Sequence, residues 1–204
     1  MKRRILALLL ILLAAGTPAM ATEEPAFTLV LKDESFEVRD YGATVVAEVT
    51  VSGSQDRASN QGFRILAGYI FGGNTRRQSI AMTAPVAQRR VSENIAMTAP
   101  VSQTSSASGW TVRFTMPSGY TLETLPVPND SRITLRDEPG QRMAVIRFSG
   151  IADARQVERR SAELEQQLQS RGLEPTGPIS LAQYDPPWTL WFLRRNEVMV
   201  PIAR

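Results

Sequence analysis

The chain of 204 residues contains no cysteine and no histidine. Without cysteine it can form no disulfide bond, so its stability must come from a packed core. Without histidine it cannot use a Ser-His-Asp or Cys-His catalytic group, the usual zinc sites or a histidine-ligated metal. No pair of acidic residues on one element stands out as a catalytic pair. We therefore expect that the chain is not an enzyme.

One apolar run near the start of the chain has the features of a targeting segment. Ile5–Ala15 is apolar, the basic residues 2–4 precede it, and Ala19–Ala21 has the small residues of a cleavage site. The run is too short to span a bilayer, which needs about 20 apolar residues. We expect residues 1–21 to be a cleaved signal peptide, with an uncleaved anchor as the alternative. The mature protein, 22–204, would then be one domain, periplasmic or secreted, without stable membrane insertion.

The positive charge of the chain lies in this segment. The chain has 23 Lys and Arg against 20 Asp and Glu, and three of the basic residues occupy positions 2–4. Every acidic residue follows Ala21, so the remaining domain is neutral overall. This balance argues against a nucleic-acid partner, which would require a basic surface.

Two segments of the chain share one pattern. Phe36–Gly53, FEVRDYGATVVAEVTVSG, aligns without a gap with Ile133–Gly150, ITLRDEPGQRMAVIRFSG. Each segment predicts two strands, because apolar residues alternate in its second half. A helical pattern follows each segment: one ends at Gly72, and the other begins with a cap at Asp153 and ends at Gly172.

Further strands follow each predicted helix, so the chain is interpreted as a duplication. Its halves cover about 27–118 and 119–204, and each half contains two strands, a helix and more strands. Two such halves packed sheet to sheet would form a closed or nearly closed barrel with a helix on each side.

The heptapeptide IAMTAPV occurs twice, at Ile80–Val86 and at Ile95–Val101. If the first copy is a strand, Ile80, Met82, Ala84 and Val86 lie on one face of it, and the second copy has the same alternation. At the proline the strand should end, bulge or lie at an edge, because proline cannot donate a ladder hydrogen bond. Methionine suits an irregular core and the wall of a pocket for a flat apolar molecule. These residues favour core packing and leave ligand contact open.

Several motifs then occur in one order along the chain. They are GYIFGGNTRRQSIAMTAPV (Gly68–Val86), the second IAMTAPV, VRFTMPSGYTLETLPVPND (Val112–Asp130), VIRFSG, and YDPPWTLWFLRRNEVMV (Tyr184–Val200). Together they resemble the SOUL haem-binding protein family over about Phe27 to Pro201. The resemblance implies an α+β fold: a distorted eight-stranded antiparallel β-barrel with two flanking helices, built from a pseudo-twofold duplication. It also implies that the protein binds haem or a related tetrapyrrole, as a carrier or buffer.

The resemblance further implies a shallow apolar cleft beside the first helix. The residues that would line it in this chain are Phe63, Leu66, Ala67, Ile70 and Met82, with Arg64, Arg76 and Arg77 at the rim. Guanidinium groups can pair bidentately with the propionates of a porphyrin. Because the chain has no histidine, the iron would have no protein ligand, a weak Met ligand, or a phenolate from Tyr41 or Tyr69. We expect apolar binding without a protein ligand, with little selectivity among porphyrins.

Other interpretations of the chain are a small hydrophobic-ligand-binding module and a module for interactions in the cell envelope that does not bind haem. The protein partner in such a role cannot be named from the sequence. In YDPPW, the prolines predict a rigid turn and Trp188 a core anchor, with a ligand contact as the alternative. RRNEV predicts an internal Arg–Glu pair. NTRRQ (Asn74–Gln78) is either a rim for propionates or a solvated turn.

Overall fold

A computed structural model describes residues 23–91, 109–186 and 188–204 of the chain. The predicted signal peptide and the second copy of IAMTAPV lie outside these residues. The described residues form nine strands and two α-helices. In chain order these are β1 (Phe27–Asp33), β2 (Phe36–Tyr41), β3 (Thr44–Ser52), α1 (Gln55–Ile70), β4 (Val86–Val91), β5 (Gly109–Thr115), β6 (Thr134–Glu138), β7 (Arg142–Ser149), α2 (Ala154–Arg171), β8 (Ser180–Gln183) and β9 (Arg195–Ile202).

The strands form one curled antiparallel sheet in the order β1-β2-β7-β9-β8-β4-β5-β3-β6. The α+β fold with an antiparallel sheet and two helices is confirmed. The sheet differs from the predicted barrel in two respects within the described residues: it has nine strands, and its end strands β1 and β6 do not pair with each other. Strand β1 precedes the repeated segments, so the repeat contains no signal for it. The duplication itself stays a prediction from the sequence.

The two helices pack on one face of the sheet over separate parts of the core. Helix α1 contacts β3 and β5, and helix α2 contacts β7 and β9. Neither of the two described helices packs on the opposite face, and we call it the helix-free face. A small apolar cluster lies there, made of Met143, Val145, Ala182 and Met199 with Tyr41 and Tyr184 against it. This arrangement follows from strand alternation, because neighbouring residues point to opposite faces.

Helix α1 approaches β5 closely because of one glycine. A Cβ atom at Gly62 would lie 2.5 Å from Cγ2 of Val112. Glycine in a helix interior is otherwise unfavourable, and here it allows the helix backbone to rest on the sheet. The helix also begins earlier than its apolar pattern suggests, at Gln55, after Ser54 at the N-cap position.

Helix α2 has the predicted caps. The side chain of Asp153 accepts a hydrogen bond from the backbone N–H of Gln156 (2.8 Å), and Gly172 ends the helix with φ of 63°. A left-handed residue at this position satisfies the last carbonyl groups, and glycine adopts it without strain. Leu164 and Leu168, which lie one helical turn apart, are buried against the sheet.

The first copy of IAMTAPV is not a strand. Only Val86, its last residue, belongs to β4, and Pro85 precedes the strand instead of ending it. The backbone N–H of Ala84 donates to the carbonyl of Glu23 (2.9 Å), so this segment pairs with the start of the described chain. Ile80 and Ala84 are buried, as core packing predicts.

The connection between β8 and β9 leaves the sheet. The backbone N–H of Thr189 donates to the carbonyl of Pro186 (3.0 Å), which confirms a turn in this motif. Trp188, however, is 83% exposed. The prediction of a core anchor was wrong, because the turn carries this side chain away from both faces of the sheet.

None of the described helices combines the length and the apolar character that a bilayer crossing requires.

Candidate functional site

The residues predicted to line a cleft beside α1 lie in different environments. Leu66 and Ile70 belong to the core beneath the helix and are 0% and 1% exposed. Met82 is partly buried and packs against the same core. A helix must bury one face against its sheet, and Leu66 and Ile70 are on that face of α1. A ligand therefore cannot reach these two side chains unless core packing opens.

The outer edge of α1 presents a different set of apolar side chains. Phe63 is 37% exposed, and its ring lies edge-on against Phe114 at a centroid distance of 5.4 Å. Ala67 is half-buried, and Phe71, just beyond the helix, is 67% exposed. The spacing i, i+4, i+8 puts the three residues along one side of the helix, over about 12 Å. We call Phe63, Ala67 and Phe71 the α1 stripe.

Phe71 was not among the predicted site residues. The signal for it was present in the sequence, since Phe71 continues the four-residue spacing of Phe63 and Ala67. It was missed because the predicted stripe followed Phe63, Leu66, Ala67 and Ile70, a set that includes the face the helix buries against the sheet. Exposure of a large aromatic side chain next to two other apolar residues is more informative about binding than an isolated one.

The predicted rim arginines are exposed to solvent. Arg64 lies on α1, and Arg76 and Arg77 lie in the turn that follows the helix. The guanidinium of Arg76 makes one long hydrogen bond, to the carbonyl of Thr124 (3.4 Å). Arg77 has a φ of 51°. Within the described part of the chain, no ion pair involves any of these three arginines, so each guanidinium could bind an anion from solvent.

A buried asparagine holds this turn in shape. The side-chain amide of Asn74 donates to the carbonyls of Tyr69 (3.1 Å) and Gln78 (2.7 Å). Its side-chain oxygen accepts from the backbone N–H of Gln78 (3.0 Å). The turn of NTRRQ is therefore fixed from inside while its two arginines stay outside. Both predictions for this motif, an anion-binding rim and a solvated turn, are compatible with that arrangement.

The two tyrosines considered as iron ligands are not on the α1 stripe. Tyr69 is buried in the core, and its hydroxyl donates to the carbonyl of Pro126 (2.9 Å). Burial raises the pKa of Tyr69 to about 12, so its phenol is protonated at neutral pH. Tyr41 lies on the helix-free face, where its hydroxyl accepts a hydrogen bond from Arg39 (3.0 Å). Burial also raises the pKa of Tyr41.

The helix-free face contains a network of buried charges. Arg39 donates to Glu197 through two nitrogens (2.8 and 3.0 Å) and to Glu37 through Nε (2.7 Å). Glu197 also accepts from the hydroxyl of Tyr184 (2.7 Å) and pairs with Arg195 (2.9 Å), as RRNEV predicted. Burial alone would raise the pKa of Glu197, but the hydrogen bonds and charge of Arg39 outweigh it and lower the pKa. The charges neutralise one another, which indicates a structural role.

Three cavities of the described residues lie away from α1. One of about 120 Å³ is on the helix-free face, and others measure about 320 and 360 Å³. Pockets for drug-sized ligands measure about 300 to 1,000 Å³. The cavity on the helix-free face is therefore too small for a tetrapyrrole. No residue of α1 lines any of these three cavities. A tetrapyrrole on the exposed α1 stripe would thus occupy none of these three cavities.

Similarity to known proteins extends over most of the chain. A family model described as SOUL heme-binding protein matches residues 22–201. The chain belongs to the SOUL family. Heme-binding protein 1 of Xenopus laevis is similar to this SOUL protein, with 28% identity over 166 residues that cover 80% of this chain and 82% of the other.

Solved structures with a similar fold have little sequence in common with this SOUL protein. EcmrR, in a cryo-EM structure of its DNA complex, has a TM-score of 0.61 and 10% identity over 83% of this chain. The match spans 57% of the EcmrR chain, so this protein corresponds to only part of EcmrR. A hydrolase from Listeria innocua has a TM-score of 0.56 and 16% identity, over 85% of this chain and 94% of the other. At such identities the likeness concerns the fold alone.

Proposed function

We propose that this SOUL protein is an exported carrier or buffer that binds haem or a related tetrapyrrole on the α1 stripe. Membership of the SOUL family supports the class of ligand. The observation that carries the site is the exposed pair of aromatic side chains, Phe63 and Phe71, on either side of Ala67. The signal-peptide pattern of residues 1–21 supports export, to the periplasm or outside the cell. The function is binding and not catalysis.

The side chains of the α1 stripe suit a large flat apolar molecule. Ala67 is small, so a planar ring could approach the helix between the two phenylalanines. Each Å² of apolar surface removed from water contributes about 25 cal/mol. The solvent-exposed guanidinium groups of Arg64, Arg76 and Arg77 would pair with propionates at the edge of the ring.

The iron would contribute little to this binding. The chain has no histidine, and the phenol of Tyr69 is buried in hydrogen-bonded form. Titration of the mature chain with hemin and with metal-free protoporphyrin tests this directly. Saturable, near-equimolar binding of both is expected, with affinities within about threefold, since no axial ligand distinguishes them. Absence of saturable binding would contradict the function, and a strong preference for hemin would contradict binding without a ligand.

Substitutions on the stripe test the position of the site. Phe71→Asp places a charge where the ring would lie, and we expect it to abolish binding of both porphyrins. Ile151→Asp is the matched control, since Ile151 is 60% exposed and precedes the other helix. Both positions are exposed, so neither change should unfold the protein. Equal effects of the two substitutions would place the ligand elsewhere.

The rim is tested by removing charge from the protein and from the ligand. The double substitution Arg76→Gln and Arg77→Gln should weaken binding of hemin. It should leave binding of hemin dimethyl ester unchanged, because the ester has no carboxylate to pair with. If the ester loses affinity to the same extent, the two arginines do not act on the propionates.

The small cavity on the helix-free face favours a second candidate function, binding of a small hydrophobic ligand. Its lining includes Tyr41, Met143, Tyr184 and Met199, and its volume is about 120 Å³. An apolar cavity of about 150 Å³ can bind one benzene molecule. Saturable stabilisation by benzene, measured as a rise in the thermal midpoint, would support this function, and no change would exclude it for a ligand of that size.

A further inference from the structure

The most exposed apolar feature of the described residues lies in the β8–β9 connection. Five of the six residues of Trp188–Leu193 have large apolar side chains, and each is more than half exposed: Trp188, Leu190, Trp191, Phe192 and Leu193. We call this segment the apolar loop. It is far from α1 in the chain, and none of its residues belongs to the α1 stripe.

The backbone of the apolar loop is ordered by hydrogen bonds. Residues Trp191–Leu193 form a 3₁₀ turn, and the backbone N–H of Leu193 donates to the carbonyl of Leu190 (2.9 Å). Nε of Arg194 donates to the carbonyl of Thr189 (2.8 Å), which ties the end of the loop to its beginning. The rings of Trp191 and Phe192 pack edge to face at 5.6 Å. The apolar side chains are thus presented on a fixed turn.

A polar cleft of about 320 Å³ lies at the base of the apolar loop. Leu193 forms one wall of it, and its other residues include Lys32, Arg147, Arg194 and Arg195 with two acidic residues and two serines. Lys32 pairs with Glu37 (3.0 Å). Arg147 is exposed and makes no ion pair within the described ranges. Arg195 pairs with Glu197 and Glu24, so the positive charge that the cleft offers to a phosphate-bearing headgroup comes from Arg147.

The start of the described chain lies beside the same loop. The carboxylate of Glu24 pairs with Arg195 (3.0 Å), two residues after the end of the loop. The predicted signal peptide precedes Glu24 by a few residues. Before cleavage, a signal peptide in the membrane would keep Glu24, and with it the apolar loop, close to the bilayer surface.

We propose that the apolar loop and the cleft at its base form a docking surface for anionic phospholipid membranes. Tryptophan is enriched at the membrane–water interface, where its apolar ring and its N–H group are both satisfied. The loop supplies two tryptophans with three other apolar side chains, and the cleft supplies the exposed cation Arg147 to pair with a lipid phosphate. Docking of this kind is peripheral, since only one turn of chain would enter the interface.

The charge beside the loop favours an anionic membrane over a second copy of the chain. Three aromatic and two leucine side chains, each more than half exposed, present on the order of 600 Å². That area is near the upper end for the largest apolar patch of a monomer, about 300 to 600 Å², and it also matches the apolar part of a standard protein interface, which buries roughly 800 Å² per partner. Area alone therefore does not select the occupant, whereas a twofold dimer would bring the exposed cation Arg147 of each copy to the same interface. A membrane requires no complementary partner surface.

The test uses the chain from Thr22 onward, which contains every described residue, and vesicles of phosphatidylcholine with or without phosphatidylglycerol. Co-sedimentation should show binding that increases with phosphatidylglycerol and weakens with salt. Tryptophan fluorescence should shift to shorter wavelength on binding. The double substitution Trp188→Ser and Trp191→Ser should reduce the bound fraction at least about tenfold. Arg147→Gln should reduce binding only to the vesicles that contain phosphatidylglycerol.

A matched control and three outcomes make the test decisive. Leu29→Ser replaces an apolar side chain that is 48% exposed on β1, outside the loop, and it should leave vesicle binding unchanged. Thermal unfolding checks that all variants fold. Absence of vesicle binding, or binding unaffected by the double substitution, would overturn the proposal. A dimer that the double substitution dissociates, measured by sedimentation velocity, would also overturn it, because the loop would then bind a second copy of the chain. Loss of hemin binding in the same variant would do so as well, because the loop would then bind the tetrapyrrole.

Discussion

Arg39 and Glu197 form a bidentate ion pair on the helix-free face, with N–O distances of 2.8 and 3.0 Å. Arg39 is on β2 and Glu197 is on β9, and β7 lies between these strands in the sheet. Both side chains are fully buried. Removing one partner of a buried pair leaves a charge without its counterpart, which costs far more than removing an exposed pair.

Glu197→Gln should therefore lower the free energy of unfolding by about 3 kcal/mol. Urea denaturation followed by circular dichroism would measure the loss. The matched control is Asp40→Asn, which breaks the partly exposed pair between Asp40 and Arg142 (2.7 Å). That change should have a much smaller effect, because solvent reaches both side chains and screens the pair. Similar losses in the two variants would show that the Arg39–Glu197 pair has no special role in stability.

Acid should destabilise the protein in a range that Glu197 and Glu37 determine. For both groups burial opposes the charged form, but the bonds from Arg39 outweigh it and the pKa lies below the ordinary value of 4.5. A carboxyl group whose pKa is lower in the folded state than in the unfolded state stabilises the fold at pH values above the unfolded-state pKa, about 4.5. This stability is lost as the pH falls from 4.5 through the pKa of the folded state. Urea midpoints measured at pH 7 and at steps below 4.5 should show this decline, with a shallower slope in Glu197→Gln. An identical slope in that variant would contradict the assignment.

Gly62 should resist substitution although it lies in a helix. Gly62→Ala brings a Cβ atom to 2.5 Å from Val112, and the overpacking should cost about 1 to 3 kcal/mol. Gly68→Ala in the same helix meets nothing within 4 Å and should stabilise the protein by up to about 1 kcal/mol. The thermal midpoints of the two variants should move in opposite directions. A stabilising effect of Gly62→Ala would mean that α1 does not approach β5 as described.

Tyr69 should matter for stability and not for the iron. Tyr69→Phe removes the hydrogen bond to the carbonyl of Pro126 (2.9 Å) and should cost about 1 to 2 kcal/mol, because the carbonyl is left unpaired. The ferric absorption spectrum with bound hemin should be unchanged, since the buried phenol is not on the α1 stripe. A change in that spectrum with unchanged stability would identify Tyr69 as an iron ligand.

The fold could be predicted in outline because it depends on local patterns. Alternation in the two aligned segments predicted strands that are now β2, β3, β6 and β7, and Asp153 and Gly172 predicted both ends of α2. The pairing of β1 with β2, and the open edges of the sheet, left no such pattern. They depend on contacts between residues that the periodicity of a single segment does not report.

The candidate site was predicted only in part, because spacing along a helix identifies a face without identifying what covers it. Phe63, Leu66, Ala67 and Ile70 share helical spacing, yet the sheet covers Leu66 and Ile70 and leaves Phe63 and Ala67 at the edge. Phe71 shares the four-residue spacing of Phe63 and Ala67, but only the structure shows that its side chain is exposed beside them.

The sequence by itself determined what chemistry is available: no imidazole, no thiol, equal numbers of basic and acidic side chains after residue 21, and motifs in the order of the SOUL family. Tertiary structure decided which of the apolar side chains reach solvent. Leu66 is covered and Trp188 is exposed because burial depends on the elements that pack around a side chain. That packing joins residues distant in the chain, so no local pattern contains it.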